Sequence, residues 1–410
     1  MKRLMMVSAL MLSSAGAFAS DGSCMAVGSV ANASFNWNTV NYVLCELPSS
    51  ITTDKTLFNG NDVMYQKPVL WALPGAVTVG DGYKYGKTPA TANDAELTIE
   101  AGVNIIATAS NASLIISRGA TINAVGTASD PIVFSSEDEN FTGEGEWGGV
   151  ILSGFGVANE CNSGSDDCLM EGISDDYYFG GSLSDTIGSG TLQYVVITEG
   201  GSEINVNDPD DVANGGDEIN GLTLYAVNDT NTTIDHVHVN ENFDDGVEFF
   251  GGDVDVTDLW LTCNGDDSID WDYGFTGSVT GVYIKQNGNT SSNASDHAME
   301  LAGNPNDSTK TPLANGTISE AYIEFVGSGV AYVDVPFKLK EGTGGNFSDM
   351  YLTGFAGKNC SATSSTNISS GDFNNITYDC TDAEGILPLS GGATVTSYPA
   401  SFWNDAPDCD

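Results

Sequence analysis

The sequence predicts an all-β chain wound as a right-handed parallel β-helix, a solenoid with an N-terminal cap and a disulfide-bearing C-terminal cover. Three observations lead there. One strand pattern recurs as Asn220-Gly-Leu-Thr-Leu, Asp245-Gly-Val-Glu-Phe, Asp267-Ser-Ile-Asp-Trp and His297-Ala-Met-Glu-Leu, at intervals of 25, 22 and 30 residues. A looser fifth copy is Val335-Pro-Phe-Lys-Leu. A second pattern keeps the same beat, starting at Leu192, Ile234, Val256, Val279, Ile318 and Phe347. Gly, Asn and Asp turns join the strands, with no helical periodicity between them, which favours stacked coils over alternating strands and helices. A β-forming repeat of this length cannot bury its apolar side alone and must stack on its neighbours.

The elements follow in order. Residues 1–19 read as an export signal, with Lys2 and Arg3, an apolar run from Leu4 to Leu12, and Ala17-Phe-Ala19 as the cleavage pattern. The run is too short to anchor in a membrane. Residues 20–95 lack the repeat and contain Trp37, Trp71 and Gly82-Tyr-Lys-Tyr-Gly86. They are expected to cap the exposed end of the solenoid. Residues 96–355 are the expected β-helix, interrupted by a loop-rich insertion at 156–190 and an acidic loop at 200–218. Residues 356–410 are expected to form the C-terminal cap and tail.

Alternate side chains of a strand face opposite ways. In the first pattern Leu222/Leu224, Val247/Phe249, Ile269/Trp271, Met299/Leu301 and Phe337/Leu339 therefore point inward. Thr223, Glu248, Asp270, Glu300 and Lys338 form one outward column, with coils roughly 4.8 Å apart. In the second pattern the outward column is Val196, His238, Trp260, Tyr283, Tyr322 and Tyr351, and a bend is expected after each strand's first residue.

The signal aside, ten basic residues face 56 acidic ones. Such charge argues against nucleic acid and anionic membranes as partners and suits divalent cations or a solvated acidic surface. The cysteines Cys24, Cys45, Cys161, Cys168, Cys263, Cys360, Cys380 and Cys409 are even in number, which in an exported chain reads as disulfides. Eight cysteines permit many pairings. Cys24–Cys45, Cys161–Cys168 and Cys360–Cys380 would close short loops and leave Cys263 with Cys409. Zinc is the alternative, without supporting Cys-x-x-Cys spacing.

Several ordered segments carry a family resemblance: Leu97-Thr-Ile-Glu-Ala-Gly, Gly126-Thr-Ala-Ser-Asp-Pro-Ile-Val-Phe, Glu146-Trp-Gly-Gly-Val-Ile-Leu, Asp244-Asp-Gly-Val-Glu-Phe-Phe-Gly-Gly and Lys340-Glu-Gly-Thr-Gly-Gly-Asn. They resemble exported β-helix surface proteins of Gram-negative bacteria, a group that includes a leptospiral outer-membrane lipoprotein. The resemblance spans about residues 95–355. It implies a place at the cell surface or outer membrane and no settled activity. This chain lacks the lipid-attachment cysteine of the lipoprotein members.

The chemistry concentrates in one stretch. The pairs Asp244-Asp245 and Asp266-Asp267 recur on adjacent coils and join Glu248, Asp270 and Glu300 in a carboxylate wall. Calcium takes six to eight oxygen ligands, so these seven residues are the candidate ligands, against a solvated face with turn aspartates. An enzyme reading places a lyase base at Lys338 or Lys285 beside the metal. A hydrolase would use two of the carboxylates. His238, Trp260, Tyr283, Tyr322 and Tyr351 are the candidate glycan- or protein-binding rings, against packing beneath the 156–190 insertion or the C-terminal cover. His236, His238 and His297 look too scattered for a transition-metal site. The expected function is an exported, calcium-stabilised, non-enzymatic surface protein that binds a glycan or a partner protein. The alternatives are a calcium-dependent polysaccharide lyase or hydrolase and a structural surface-coat component.

Overall fold

A computed structural model describes residues 22–161, 167–174, 176–181, 187–202, 219–287, 297–326, 335–388 and 393–403. Residues 1–19, expected to be an export signal, most of the 200–218 loop and Cys409 lie outside them. The chain is a right-handed parallel β-helix. Its described elements are strands and short 3-10 turns, arranged mainly as a 15-stranded and a ten-stranded sheet. No helix among the described residues is long and apolar enough to cross a membrane.

The ten-stranded sheet, here the acid face, stacks the first repeat in register. Val77, Leu114, Val150, Leu222, Val247, Ile269, Met299 and Phe337 follow one another coil by coil as an inward column. All eight are at most 1% exposed. Each such side chain stabilises the stack by roughly 1.5–3 kcal/mol relative to exposure. Trp271 fills the same core and donates its indole N–H to Thr343 Oγ1 at 3.0 Å.

The 15-stranded sheet supplies the other two faces. Early coils use separate strands, Thr121–Val125 and Ile132–Ser136, and both pair with the single long strand Gly190–Thr198. From there on the corner shrinks to one left-handed residue per coil: Tyr194, His236, Asp258, Gly281, Glu320, Asp349 and Asn375. This is the expected bend. A left-handed non-glycine residue costs about 1 kcal/mol or more. Here it recurs at one position because the flanking residues stay paired on both sides, as Asp235 with Thr257 and Val237 with Leu259.

The stack is longer than residues 96–355. Val40–Glu46, Ser50–Ile51 and Lys55–Leu57 run parallel to Val69–Leu73, Ala76–Val79 and Glu96–Ile99, so a full coil lies inside the segment expected to be cap. Ser29–Trp37 folds back antiparallel on Val40–Glu46, shielding the first strand. At the other end Ser361–Ser364 and Phe373–Tyr378 add one more coil. The structure joins Cys24 to Cys45, Cys161 to Cys168 and Cys360 to Cys380. Cys263 is also disulfide-bonded.

Candidate metal centre

Two outward registers of the acid face build the site. One runs Thr223, Glu248, Asp270, Glu300, Lys338, each beside the next. The other lies three residues earlier in each copy: Asn220, Asp245, Asp267, His297. This second register is partly a structural ladder. Asp245 Oδ1 accepts the backbone N–H of Asp267 at 2.9 Å, and Asp267 Oδ1 accepts that of His297 at 2.7 Å.

All seven carboxylates named from the sequence fall into three groups whose ligand atoms lie within 4.8 Å of one another. Asp244, Asp245 and Asp266 form one, and Asp245, Glu248 and Asp270 the second, sharing Asp245. The third is Asp267, Glu300 and His297, with His297 Nδ1 3.1 Å from Asp267 Oδ1 and 3.7 Å from Glu300 Oε2. His297 therefore belongs to the wall.

The central group differs from an ordinary solvated face. Asp270 Oδ1 is buried and has no hydrogen-bond partner among the described residues. The same holds for Thr223 Oγ1 and Asn220 Oδ1, on residues 0% and 4% exposed. Asn220 uses its amide N–H to bind Glu248, which leaves its carbonyl oxygen beside the carboxylates. A buried acceptor without a donor costs about 1–3 kcal/mol. Burial, then the charges of Asp244 and Asp267, pushes Asp245 well above the usual carboxylate range. Burial with Asp270 does the same to Glu248, and burial with Asp272 and Glu300 to Asp270. A divalent cation would relieve both the orphaned oxygens and the repulsion, and the all-oxygen donor set fits calcium.

Asn220 and Thr223 were absent from the sequence-derived ligand set, although the signal was present. The first copy of the motif carries neutral oxygens at the two positions where the second carries Asp245 and Glu248. Asp272, one outward column further on, was also missed. Burial pushes it up, with Glu341 and Glu171 adding and Lys340 opposing.

The amine at the wall is not the expected one. Lys338 stands beside Glu300 in the strand register, but Lys340 makes the ion pair with Glu300. Burial disfavours the Lys340 charge, yet the Glu300 hydrogen bond and charge outweigh it and raise its pKa above the ordinary lysine value. Lys285 is on the other sheet, between Thr262 and Glu324.

The aromatic column occupies its expected register, from Val196 through His238, Trp260, Tyr283 and Tyr322 to Tyr351. Of the two alternatives, exposed rings or rings packed beneath a cover, the C-terminal segment decides for the cover at His238 and Trp260. Trp260 Nε1–H donates to Pro399 O at 3.2 Å, and Ser401 Oγ lies 2.7 Å from His238 Nδ1. Trp403 packs on His238 and Phe402 on Trp260. His238 and Trp260 are 1% and 4% exposed. The remaining rings stack on one another, Tyr283 on Tyr322 at 6.0 Å and Tyr322 on Tyr351 at 5.4 Å. Their faces meet neighbouring rings, so the column serves packing first.

The pectate-lyase-like β-helix domain family matches residues 76–386. The chain belongs to that family. The match covers the acid wall and every residue of the aromatic column, and it ends before the strap, residues 398–403, that covers His238 and Trp260. No curated protein and no solved structure matches the chain.

Proposed function

We propose that this chain is an exported, non-enzymatic β-helix of the cell surface or outer membrane that holds calcium on its acid face and binds an acidic glycan there. The observation that carries the reading is a set of buried oxygens on Asn220, Thr223 and Asp270, unpartnered among the described residues, on three residues that each adjoin Glu248. A calcium ion held on one side by protein oxygens can take carboxylates of a sugar chain on the other, within its six to eight positions. Export and surface placement rest on the leader and on the resemblance to Gram-negative surface β-helices. The test is calorimetry with calcium, followed by a glycan array with calcium or with EDTA. Calcium binding together with calcium-dependent retention of uronate-containing glycans supports the reading. Retention that ignores EDTA would overturn it.

Membership of a pectate-lyase-like family favours a second reading, a calcium-dependent lyase. Such a reaction needs a base that can take the proton α to a uronate carboxyl group. Lys340 is engaged by Glu300, and Lys338 is the other amine beside Glu300 in the strand register. Release of unsaturated uronate by the wild type, lost in Lys338→Ala with glycan binding intact, would establish catalysis. The binder reading expects no such product from either protein.

A further inference from the structure

The described part of the insertion packs its apolar side onto the outer surface of the acid face. Met170, Ile173 and Phe179 form one buried cluster with Ile151, Tyr225 and Phe250. Its two ends are fixed differently from its middle. At one end the Arg118 guanidinium donates to Phe179 O and Gly180 O at 3.3 and 2.6 Å and pairs with Asp167. At the other Asn159 N–H donates to Tyr273 O at 2.7 Å, and Lys310 Nζ reaches Glu160 O at 3.0 Å. Residues 170–174 lie between Asp167 and Phe179–Gly180, both held by Arg118. Tyr225 O–H donates to Glu171 O there at 2.8 Å. That hydrogen bond holds Glu171, itself an exposed residue, at the column next to the wall: Tyr225 follows Thr223 by two residues and lies beside Phe250, and Phe250 lies beside Asp272. The Glu171 charge adds to the negative field at Glu248, Asp272 and Tyr273.

We propose that a divalent cation at Asp245, Glu248 and Asp270 keeps the Met170–Ser174 turn docked on Tyr225 and Phe250, making the centre a cation-controlled latch on this apolar patch. The inference rests on the calcium reading above. The physical reason is charge: without a cation the turn must hold Glu171 near uncompensated like charges, opposed by its apolar contacts. With one, that charge is neutralised and apolar packing prevails.

The test is hydrogen exchange by mass spectrometry on the full chain, with calcium and with EDTA. Amides of residues 170–174 should exchange at least tenfold more slowly with calcium, while those of 178–181, held by Arg118, should not change. Glu171→Gln should make exchange at 170–174 slow in both conditions and leave calcium binding by calorimetry in place. Tyr225→Phe should speed it in both. Calcium binding by calorimetry with unchanged exchange at 170–174 would overturn the latch and leave the calcium reading standing. Absence of calcium binding would overturn both.

Discussion

The acid face and the aromatic face carry outward columns of equal legibility and opposite fate. Both follow from period-two strands on one coil beat, and both run in register through consecutive coils. On the acid face the column includes two buried oxygens, Thr223 Oγ1 and Asp270 Oδ1, that have no hydrogen-bond partner among the described residues. On the aromatic face the strap Tyr398–Trp403 supplies partners, so His238 and Trp260 are nearly as inaccessible as the core. The difference teaches that strand register fixes where a side chain points but not what lies over it. A buried polar group left without a partner is the better indicator of a missing ligand, because protein structures rarely tolerate one. An aromatic row satisfied by its own chain indicates cohesion.

The largest effect that would break this comparison is expected at Trp260. Trp260→Ala removes a buried indole between the strap and the sheet and should cost about 3 kcal/mol in denaturant unfolding. Glycan binding and the response to calcium should be unchanged, because both are assigned to the other sheet. Lost glycan binding with an unaltered unfolding curve would mean that the strap leaves the ring free to bind.

Next in size is the acid pair. A ligand bound only by the folded state, at a hundredfold excess over its dissociation constant, stabilises by about 2.7 kcal/mol. Wild type should gain a shift of that order on adding calcium. Glu248→Gln with Asp270→Asn should gain none. In EDTA the double variant should melt above wild type, because it lacks the repulsion between buried carboxylates. If both proteins respond equally to calcium, the ion is held elsewhere on the wall.

The repeat made most of the coil geometry legible, down to the bend that the structure realises as Tyr194, His236 and Asp258 in left-handed conformation. Three things escaped for physical reasons. The first coil escaped because Ser50–Ile51 and Lys55–Leu57 are too short to show a period. The counter-ion of Glu300 escaped because period two sends both Lys338 and Lys340 outward, and a flexible lysine stem can cross between columns. Cover of the aromatic column by the C-terminal segment is an alternative the sequence leaves open, but which residues form it escaped, because Pro399 meets Trp260 from 139 residues away, with no periodic signal to announce it. Within the metal centre the carboxylates were legible from their spacing. Asn220 and Thr223 were not singled out, because a neutral oxygen becomes informative only when burial leaves it unpartnered.

The smallest effect is expected at Ser401, and it tests the strap alone. His238 lies in a closed chain of hydrogen bonds. Thr262 Oγ1 donates to Asn240 Oδ1 at 2.6 Å, so it accepts from His238 Nε2–H at 2.8 Å. Nδ1 is then the acceptor, and Ser401 donates to it. Ser401→Ala leaves that nitrogen without a donor and should cost about 1 kcal/mol, with the calcium response intact. The acid limb of the stability profile sharpens the test. Burial depresses His238 from 6.5 to about 3, so between these values the unfolded chain binds a proton that the folded chain does not. This contribution to stability is present above pH 6.5 and is lost as pH falls toward 3, by up to about 1.4 kcal/mol per pH unit. If Ser401→Ala loosens the strap and lets water reach the ring, the folded-state pKa should rise toward 6.5 and this part of the acid limb should flatten. An imidazole titration by NMR that stays at the wild-type position in Ser401→Ala would show that the neighbouring rings, and not the hydroxyl, keep His238 dry.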